Sequence, residues 1–195
     1  MEVPGRAEHS SAVPSGKGAC VMITYRVGDA STPPERPAVI AHVVNDVGAW
    51  GAGFSGALGG RFPPAELSYR QWFQGLYAQV PGADAFGLGK MLIINPDPTD
   101  SSLYVAHLCA QRGVGIDNRR IQHDALRGAL ARLYNVIAAE VRFTIHMPHI
   151  GWGLGGGNWW EVQRIVEQEL PLIHVFVYSL PGTLGDKHQN TPGVK

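Results

Sequence analysis

Two glycine-rich stretches of this 195-residue chain have the spacing that can hold a phosphate. The first, GAGFSG, carries Gly51, Gly53 and Gly56, and the second, GWGLGG, carries Gly151, Gly153 and Gly156. Both match G-x-G-x-x-G, in which glycines permit tight turns and a close approach of backbone amides to a phosphate. One such match is a weak signal, but two in a small domain predict loops that grip a diphosphate from opposite sides. Glycines that only make turns are the alternative.

A Rossmann dinucleotide-binding turn is a second interpretation of the first loop. Its first glycine should directly follow a strand, and an acidic residue should follow about 20 positions later. Here six residues separate Val44 from Gly51, and Asp84 lies in PGADAFG instead of at a strand end. Neither loop ends in Gly-Lys-Ser/Thr, as a Walker loop would. The spacing therefore disfavours a Rossmann-like oxidoreductase.

The elements that must position these loops are short apolar runs alternating with helical segments. The runs VMITYRV (21–27), AVIAHVV (38–44), GKMLIINP, SLYVAHLCA, RFTIHMP and IHVFVYSL predict strands, with a tight connection at DPTDS. Helices are predicted over 64–79, 119–139 and 158–169. This order predicts an α/β fold, a three-layer α/β/α sandwich with a mixed central sheet. In such sheets ligands lie beyond the carboxyl ends of strands, where both glycine loops fall.

The helix signals are specific in two places. Leu126, Leu130, Leu133 and Ile137 fall at helical spacing and predict one apolar face over 119–139. Asn158 precedes the last helix with Glu161 three residues later, which predicts an N-cap and a capping-box partner. Free amides of that helix would therefore lie beside the second glycine loop, an arrangement that suits a phosphate.

The composition limits the function classes. Lys plus Arg and Asp plus Glu are equal in number at 16, so no overall positive field gathers nucleic acid or an anionic membrane. Two cysteines are too few for a disulfide framework, and no apolar run is long enough to span a bilayer. We expect a cytoplasmic protein with no membrane partner. Residues 1–19 are predicted to be a disordered arm, 20–181 one domain and 182–195 a flexible tail.

Four segments together resemble a macrodomain, an ADP-ribose-binding α/β/α module. They are VGDA (27–30), IAHVVNDVGAWGAGF (40–54), LYVAHLCAQ (103–111) and HMPHIGWGLGGGNWWEV (146–162). The resemblance is strongest to the branch with the terminal ADP-ribose protein glycohydrolase and the macrodomains of DNA ADP-ribosyl glycohydrolase antitoxins. The last segment is the most specific match. The resemblance implies ADP-ribose as the ligand, and we expect no cofactor and no metal.

The resemblance also implies roles for individual residues. Asp29 would accept a hydrogen bond from the adenine amino group, and Asn45 would lie near the distal ribose. The two glycine loops would hold the diphosphate through backbone amides. The implied ligand-binding residues are Asp29, Ala30, Asn45, Gly51, Ala52, Gly53, Phe54, Ile150, Gly151, Trp152, Gly153, Leu154 and Gly155.

The catalytic positions depart from those relatives. The glycohydrolases that act through a lysine carry it where this chain has Gln111, and the protein-directed relative has an aspartate in place of Gly155. Glutamine has no nucleophilic amine, and Arg112 stays protonated, so a lysyl–sugar adduct is not expected. If hydrolysis occurs, water would attack the anomeric carbon of the distal ribose, and the candidate catalytic residues are Asn45, Asp46 and Gln111.

Two functions remain open. One is removal of ADP-ribose from a modified protein or nucleic acid, with acidic side chains as the easiest substrates because a carboxylate is a good leaving group. The other is a non-catalytic reader of ADP-ribose, which the missing lysine–aspartate pair favours. Asp46 would serve as a base if it points inward, and a solvent-facing loop aspartate is the alternative.

The histidines and tryptophans near the loops also need an interpretation. His42, His107, His146 and His174 lie in strand runs without the local spacing of zinc ligands, so we expect structural roles. For His149, at the mouth of the second loop, ligand contact and a structural role are both open. Among the aromatics, Phe54 and Trp152 are the candidates to line the site, whereas Trp160 is expected in the core.

Overall fold

A computed structural model of the chain describes residues 22–51, 53–77, 83–114, 121–139, 142–150 and 158–181. The predicted arm 1–19, the predicted tail 182–195 and the loop 151–157 lie outside these residues. The elements are β1 Met22–Val27, β2 Ala38–Asn45, α1 Gly53–Arg61, α2 Pro63–Phe73, β3 Met91–Ile94, β4 Leu103–Gln111, α3 His123–Ile137, β5 Thr144–Pro148, α4 Trp159–Glu169 and β6 His174–Ser179. In this described part, no helix is long and apolar enough to cross a membrane.

The six strands form one mixed sheet in the order β1-β6-β5-β2-β4-β3. All neighbouring pairs are parallel except β3 and β4, which run antiparallel across the predicted tight connection. The carboxyl ends of β1, β2, β4 and β5 therefore meet at one edge of the sheet, which we call the carboxyl edge. The segments that follow Val27, Asn45, Gln111 and Pro148 all leave the sheet at this edge.

Helices cover both faces of the sheet. On β2, Val39 and Ala41 point into the core formed with α3 and α4, and Ile40 and Val44 point towards α1 and α2. This alternation is the period of two that a strand buried on both sides requires. The predicted three-layer α/β/α sandwich with a mixed sheet is confirmed.

Helix α3 has the apolar face that the sequence predicts. Leu126, Leu130, Leu133 and Ile137 are all buried. The helix begins at His123 instead of 119, because Ile121 pairs with Gln111 in an isolated bridge next to β4. The start of α3 is thus tied to the carboxyl edge.

Helix α2 is shorter than the predicted 64–79. It begins at Pro63, where a proline in the first turn has no lost hydrogen bond, and it ends at Phe73. Gly75, with a φ of +77°, leaves the helical conformation just beyond this end. Within α2, Tyr69 and Trp72 are fully buried against the sheet.

Helix α4 has the predicted N-cap, but two further expectations about this region are wrong. The Asn158 Oδ1 accepts a bond from the Trp160 backbone N–H at 3.1 Å. The Glu161 carboxylate lies 3.4 Å from His123 Nε2 on α3 instead of closing a capping box. Trp160, expected in the core, is 63% exposed, and its neighbour Trp159 is the buried residue. Adjacent helical positions point about 100° apart, so only one of the two can face the core.

Candidate functional site

The turn after β1 presents Asp29 at the carboxyl edge. Its two carboxylate oxygens accept bonds from the backbone N–H and the hydroxyl of Ser31, each at 2.8 Å. The Asp29 carbonyl accepts the backbone N–H and the hydroxyl of Thr32. Ala30 is buried against Phe176 and Tyr178. Asp29 is half-buried, and the bonds from Ser31 hold its carboxylate in one orientation.

The first glycine loop uses its three glycines in two ways. Gly51 and Gly53 have φ values of +110° and +58°, which residues with a Cβ rarely adopt. Gly56 has no such angle, but a Cβ there would lie 2.8 Å from the Gly51 carbonyl oxygen. The loop therefore folds back on the first turn of α1, and it leads directly to the amide-rich N-terminus of that helix. Ala52 lies outside the described residues.

Replacing Gly56 by alanine is expected to lower the free energy of unfolding by about 1–3 kcal/mol. The added methyl meets backbone, which cannot rotate away, so the loop must shift. Urea denaturation measures the loss. Gly60→Ala is the matched control in the same helix, because a Cβ there meets nothing within 4 Å; it should be neutral or stabilise by up to about 1 kcal/mol. Equal effects of the two substitutions would contradict this packing role.

Asn45 ends β2 and holds the following loop. Its Oδ1 accepts the backbone N–H groups of Val47 and Ala49 at 3.1 and 3.0 Å, and its Nδ2 donates to the Ala49 carbonyl. Tyr69 of α2 donates to both the carbonyl and the Oδ1 of Asn45. The pKa of Tyr69 is raised, mainly by burial, which keeps the hydroxyl protonated as a donor. The Asn45 side chain thus fixes the backbone of the loop that follows β2.

Asp46 joins the segments that follow β2 and β4. Its backbone N–H donates to the Gln111 carbonyl at 2.9 Å, and its Oδ1 accepts the Gly113 backbone N–H at 2.7 Å. The Gln111 Nε2 donates to the Gly113 carbonyl at 3.0 Å. The structure therefore brings the three candidate catalytic residues together, with an oriented and half-buried carboxylate among them.

The remaining predicted site residues fall in different places. Phe54, in the first turn of α1, packs against the cluster of Ala30, Phe176 and Tyr178 and therefore lies near the Asp29 turn. Ile150 is buried in the core shared with α3 and α4. The residues predicted in the second loop, Gly151, Trp152, Gly153, Leu154 and Gly155, lie outside the described residues.

Two of the strand histidines form a buried hydrogen-bonded chain between Ser55 of α1 and Ser68 of α2. The Ser68 hydroxyl donates to the Ala65 carbonyl, so it must accept the proton of His107 Nε2 at 3.1 Å. His107 Nδ1 then accepts from His42 Nε2 at 2.7 Å, and His42 Nδ1 faces the Ser55 hydroxyl at 3.4 Å. Each ring is therefore neutral with one assigned tautomer. Burial lowers the pKa of His42 to about 3 and holds that of His107 well below its usual value.

The other strand histidines are bonded separately. His146 contacts the Thr144 hydroxyl and the Tyr178 hydroxyl, both at 2.9 Å, and burial lowers its pKa to about 4. His174 contacts the Thr24 hydroxyl at 2.9 Å. Among the residues described, no group of three or more His, Cys, Asp or Glu side chains could hold a metal ion. The contacts of the four histidines are structural ones.

Sequence reasoning missed the residues that support this site. Tyr69 bonds to Asn45 across 24 positions, and His42 bonds to His107 across 65 positions and lies 3.4 Å from the Ser55 hydroxyl in the first turn of α1; no local pattern reveals these contacts. Ser31 gave a usable signal, because Asp-x-Ser is typical of a turn in which the aspartate accepts the bonds of the following residues. Arg61, which donates from Nε to the Ser31 hydroxyl oxygen at 3.2 Å, gave none.

Comparison with known proteins identifies the fold and its family. No protein-family model matches the sequence. A protein of unknown function from Bacteroides thetaiotaomicron is 35% identical, with a TM-score of 0.70 over 81% of this chain and 98% of that one. A macrodomain protein from Streptomyces coelicolor is 32% identical, with a TM-score of 0.67 over 80% of this chain and 98% of that one. The chain belongs to the macrodomain family.

Further likenesses are to parts of proteins that are longer than this chain. Chromodomain-helicase-DNA-binding protein 1-like from Danio rerio is 29% identical over 174 residues, which are 85% of this chain and 16% of that protein. This macrodomain thus spans about a sixth of the length of the curated relatives it matches. Thermosipho africanus DarTG in complex with ADP-ribose shares the fold, with 16% identity and a TM-score of 0.63 over 83% of this chain and 43% of that one.

Proposed function

We propose that this macrodomain binds ADP-ribose and hydrolyses it from ADP-ribosylated macromolecules, most readily from acidic side chains of proteins. The observation that carries the proposal is the set of groups gathered at the carboxyl edge. An oriented Asp29 carboxylate follows β1, and the Asp46 carboxylate and a glycine loop that opens a helix both follow β2 of the same sheet. Adenine, diphosphate and distal ribose are the ligand parts that these groups suit.

The diphosphate is assigned to backbone groups, because the chain has no excess of positive charge. The left-handed backbone at Gly51 and Gly53 turns the loop into the first turn of α1. Amides at a helix N-terminus and the helix dipole both favour a phosphate. Family membership and the ADP-ribose complex of a protein with the same fold support this assignment.

Hydrolysis would use water instead of a protein nucleophile. In this step the Asp46 carboxylate takes a proton from water as the water oxygen bonds to the anomeric carbon of the distal ribose. The bond from that carbon to the ester oxygen breaks, and the carboxylate of the modified side chain leaves. The products are ADP-ribose with a new hydroxyl and an unmodified acidic residue. The Gly113 N–H fixes the Asp46 carboxylate for this task.

A reader without hydrolytic activity is the second candidate, and two observations favour it. Gln111 stands where lysine-dependent relatives carry the nucleophile, and the amide of Gln111 is bonded to the Gly113 carbonyl. The Asn45 side chain is bonded to the backbone of the loop that follows β2. In a reader, the same binding edge would retain a modified partner without cleaving the sugar linkage.

The two functions are separated by incubating the chain with an ADP-ribosyl transferase that has modified its own acidic residues with labelled ADP-ribose. Hydrolysis predicts release of labelled ADP-ribose, and water enriched in ¹⁸O should place the heavy oxygen on the sugar. Label that stays on the protein, together with tight binding, would support the reader instead. Neither binding nor release would contradict both functions.

A further inference from the structure

Ser31 contacts the predicted adenine-recognising carboxylate through both of its donors. The Ser31 backbone N–H reaches one Asp29 oxygen and the Ser31 hydroxyl reaches the other, each at 2.8 Å. Ser31 is itself 1% exposed, so its side chain is fixed by packing. Two bonds to different oxygens of one carboxylate stop rotation about the last side-chain torsion of Asp29.

Arg61 holds Ser31 from the other side. It lies in the last turn of α1, and its Nε donates to the Ser31 hydroxyl oxygen at 3.2 Å, since the proton of that hydroxyl is donated to Asp29. The first turn of the same helix carries the glycine loop, and Phe54 packs against the cluster that contains Ala30. Helix α1 therefore joins the Asp29 turn to the loop assigned to the diphosphate.

From this geometry we infer that Ser31 and Arg61 are positioning residues that set the selectivity of the site for an amino purine over an oxo purine. The inference rests on the proposed binding of ADP-ribose. With one acceptor position on each oxygen used by Ser31, the Asp29 carboxylate offers its remaining lone pairs in fixed directions. The amino group of adenine donates to such a carboxylate, whereas the oxygen at the same position of hypoxanthine repels it.

Removal of the Ser31 hydroxyl should relax this selectivity. A carboxylate that can rotate is able to turn towards the N1–H donor of hypoxanthine, so the oxo purine loses its disadvantage. A hydrogen bond to a charged group is strong enough to change affinity about tenfold. The selectivity should therefore change by a similar factor, and the effect of Arg61, which acts through Ser31, should be smaller.

The test compares the dissociation constants of ADP-ribose and inosine diphosphate ribose by calorimetry for the full chain and its variants. The unaltered protein should prefer ADP-ribose by at least about tenfold. S31A should bring the two constants to within about threefold, and R61A should reduce the preference about threefold. T32A is the matched control: it removes a bond to the Asp29 carbonyl but none to the carboxylate, and it should keep the preference.

The outcomes are distinguishable. An unchanged preference in both S31A and R61A, or an equal loss in T32A, overturns the positioning role while ADP-ribose binding stands. Because a ratio of two affinities is measured, a general loosening of the fold would lower both and leave the ratio. R61A changes an exposed side chain and so remains informative if S31A folds poorly. Absence of ADP-ribose binding by the unaltered chain contradicts the proposed function and, with it, this inference.

Discussion

Replacing Asp46 by asparagine is expected to slow the release of ADP-ribose from a modified acidic side chain by about 10²- to 10⁴-fold, the usual contribution of a positioned general base. Asparagine keeps an oxygen that can accept the Gly113 N–H, so the loop geometry should survive. It has no basic oxygen to take the proton of the attacking water. Affinity for free ADP-ribose should therefore change little.

The measurement is single-turnover release of label, with ADP-ribose affinity determined in parallel. Asp97→Asn is the matched control, because Asp97 lies in the turn between β3 and β4 and its carboxylate accepts bonds from the backbone N–H and hydroxyl of Thr99 there. It should leave both release and affinity unchanged. Full activity of the Asp46→Asn variant would remove Asp46 from the mechanism.

The second large effect is a loss of stability in mild acid. In the folded chain the pKa values of His42, His107 and His146 lie below the ordinary value of 6.5, at about 3 for His42 and about 4 for His146, mainly because burial disfavours the charged ring. The unfolded chain binds these protons near pH 6.5. The contribution of the three neutral rings to the free energy of unfolding is therefore fully present above pH 6.5. It is lost as the pH falls towards the pKa values of the folded chain.

The size of this loss follows from linkage. At pH 5 the neutral rings of His42 and His146 each cost about 2 kcal/mol of stability, since one pKa unit corresponds to about 1.4 kcal/mol, and His107 acts in the same direction. The sum for His42 and His146, about 4 kcal/mol, is a large part of the whole stability of a typical domain, about 5–15 kcal/mol. Urea denaturation should give a lower free energy of unfolding at pH 5.0 than at pH 7.5.

A variant pair isolates the contribution. His146→Gln, whose amide can replace the bonds to Thr144 and Tyr178, should reduce the difference between the two pH values by about 2 kcal/mol. Gly60→Ala, which changes no titratable group, should leave the difference unchanged. Equal stability of the unaltered protein at both pH values would contradict the buried neutral histidines.

The fold could be predicted because its signals are local. The strand β2 is apolar at nearly every position, as burial on both faces requires, and the spacing of Leu126, Leu130 and Leu133 defines the buried face of α3. Errors arose where a neighbour decided the outcome. Gly75 ended α2 early, and Trp159 took the core position expected for Trp160.

The site could be predicted only in outline. The resemblance to the macrodomain family implied Asp29 and Asn45 as site residues, and Asp46 was a candidate catalytic residue beside Asn45. What each side chain does there depends on partners distant in sequence, such as Tyr69 for Asn45 and Gly113 for Asp46. The chain from Ser55 through His42 and His107 to Ser68 likewise joins two helices across two strands. Such contacts follow from tertiary packing and leave no local pattern.

Calorimetric titration of the purified chain with ADP-ribose tests the central claim most directly. Binding is predicted with one ligand per chain, and Asp29→Ala should weaken it at least about tenfold, because the adenine amino group loses its charged acceptor. Asp97→Asn should bind like the unaltered protein. No binding at millimolar ADP-ribose would contradict the claim, and binding that is unaffected by Asp29→Ala would contradict the assigned adenine contact.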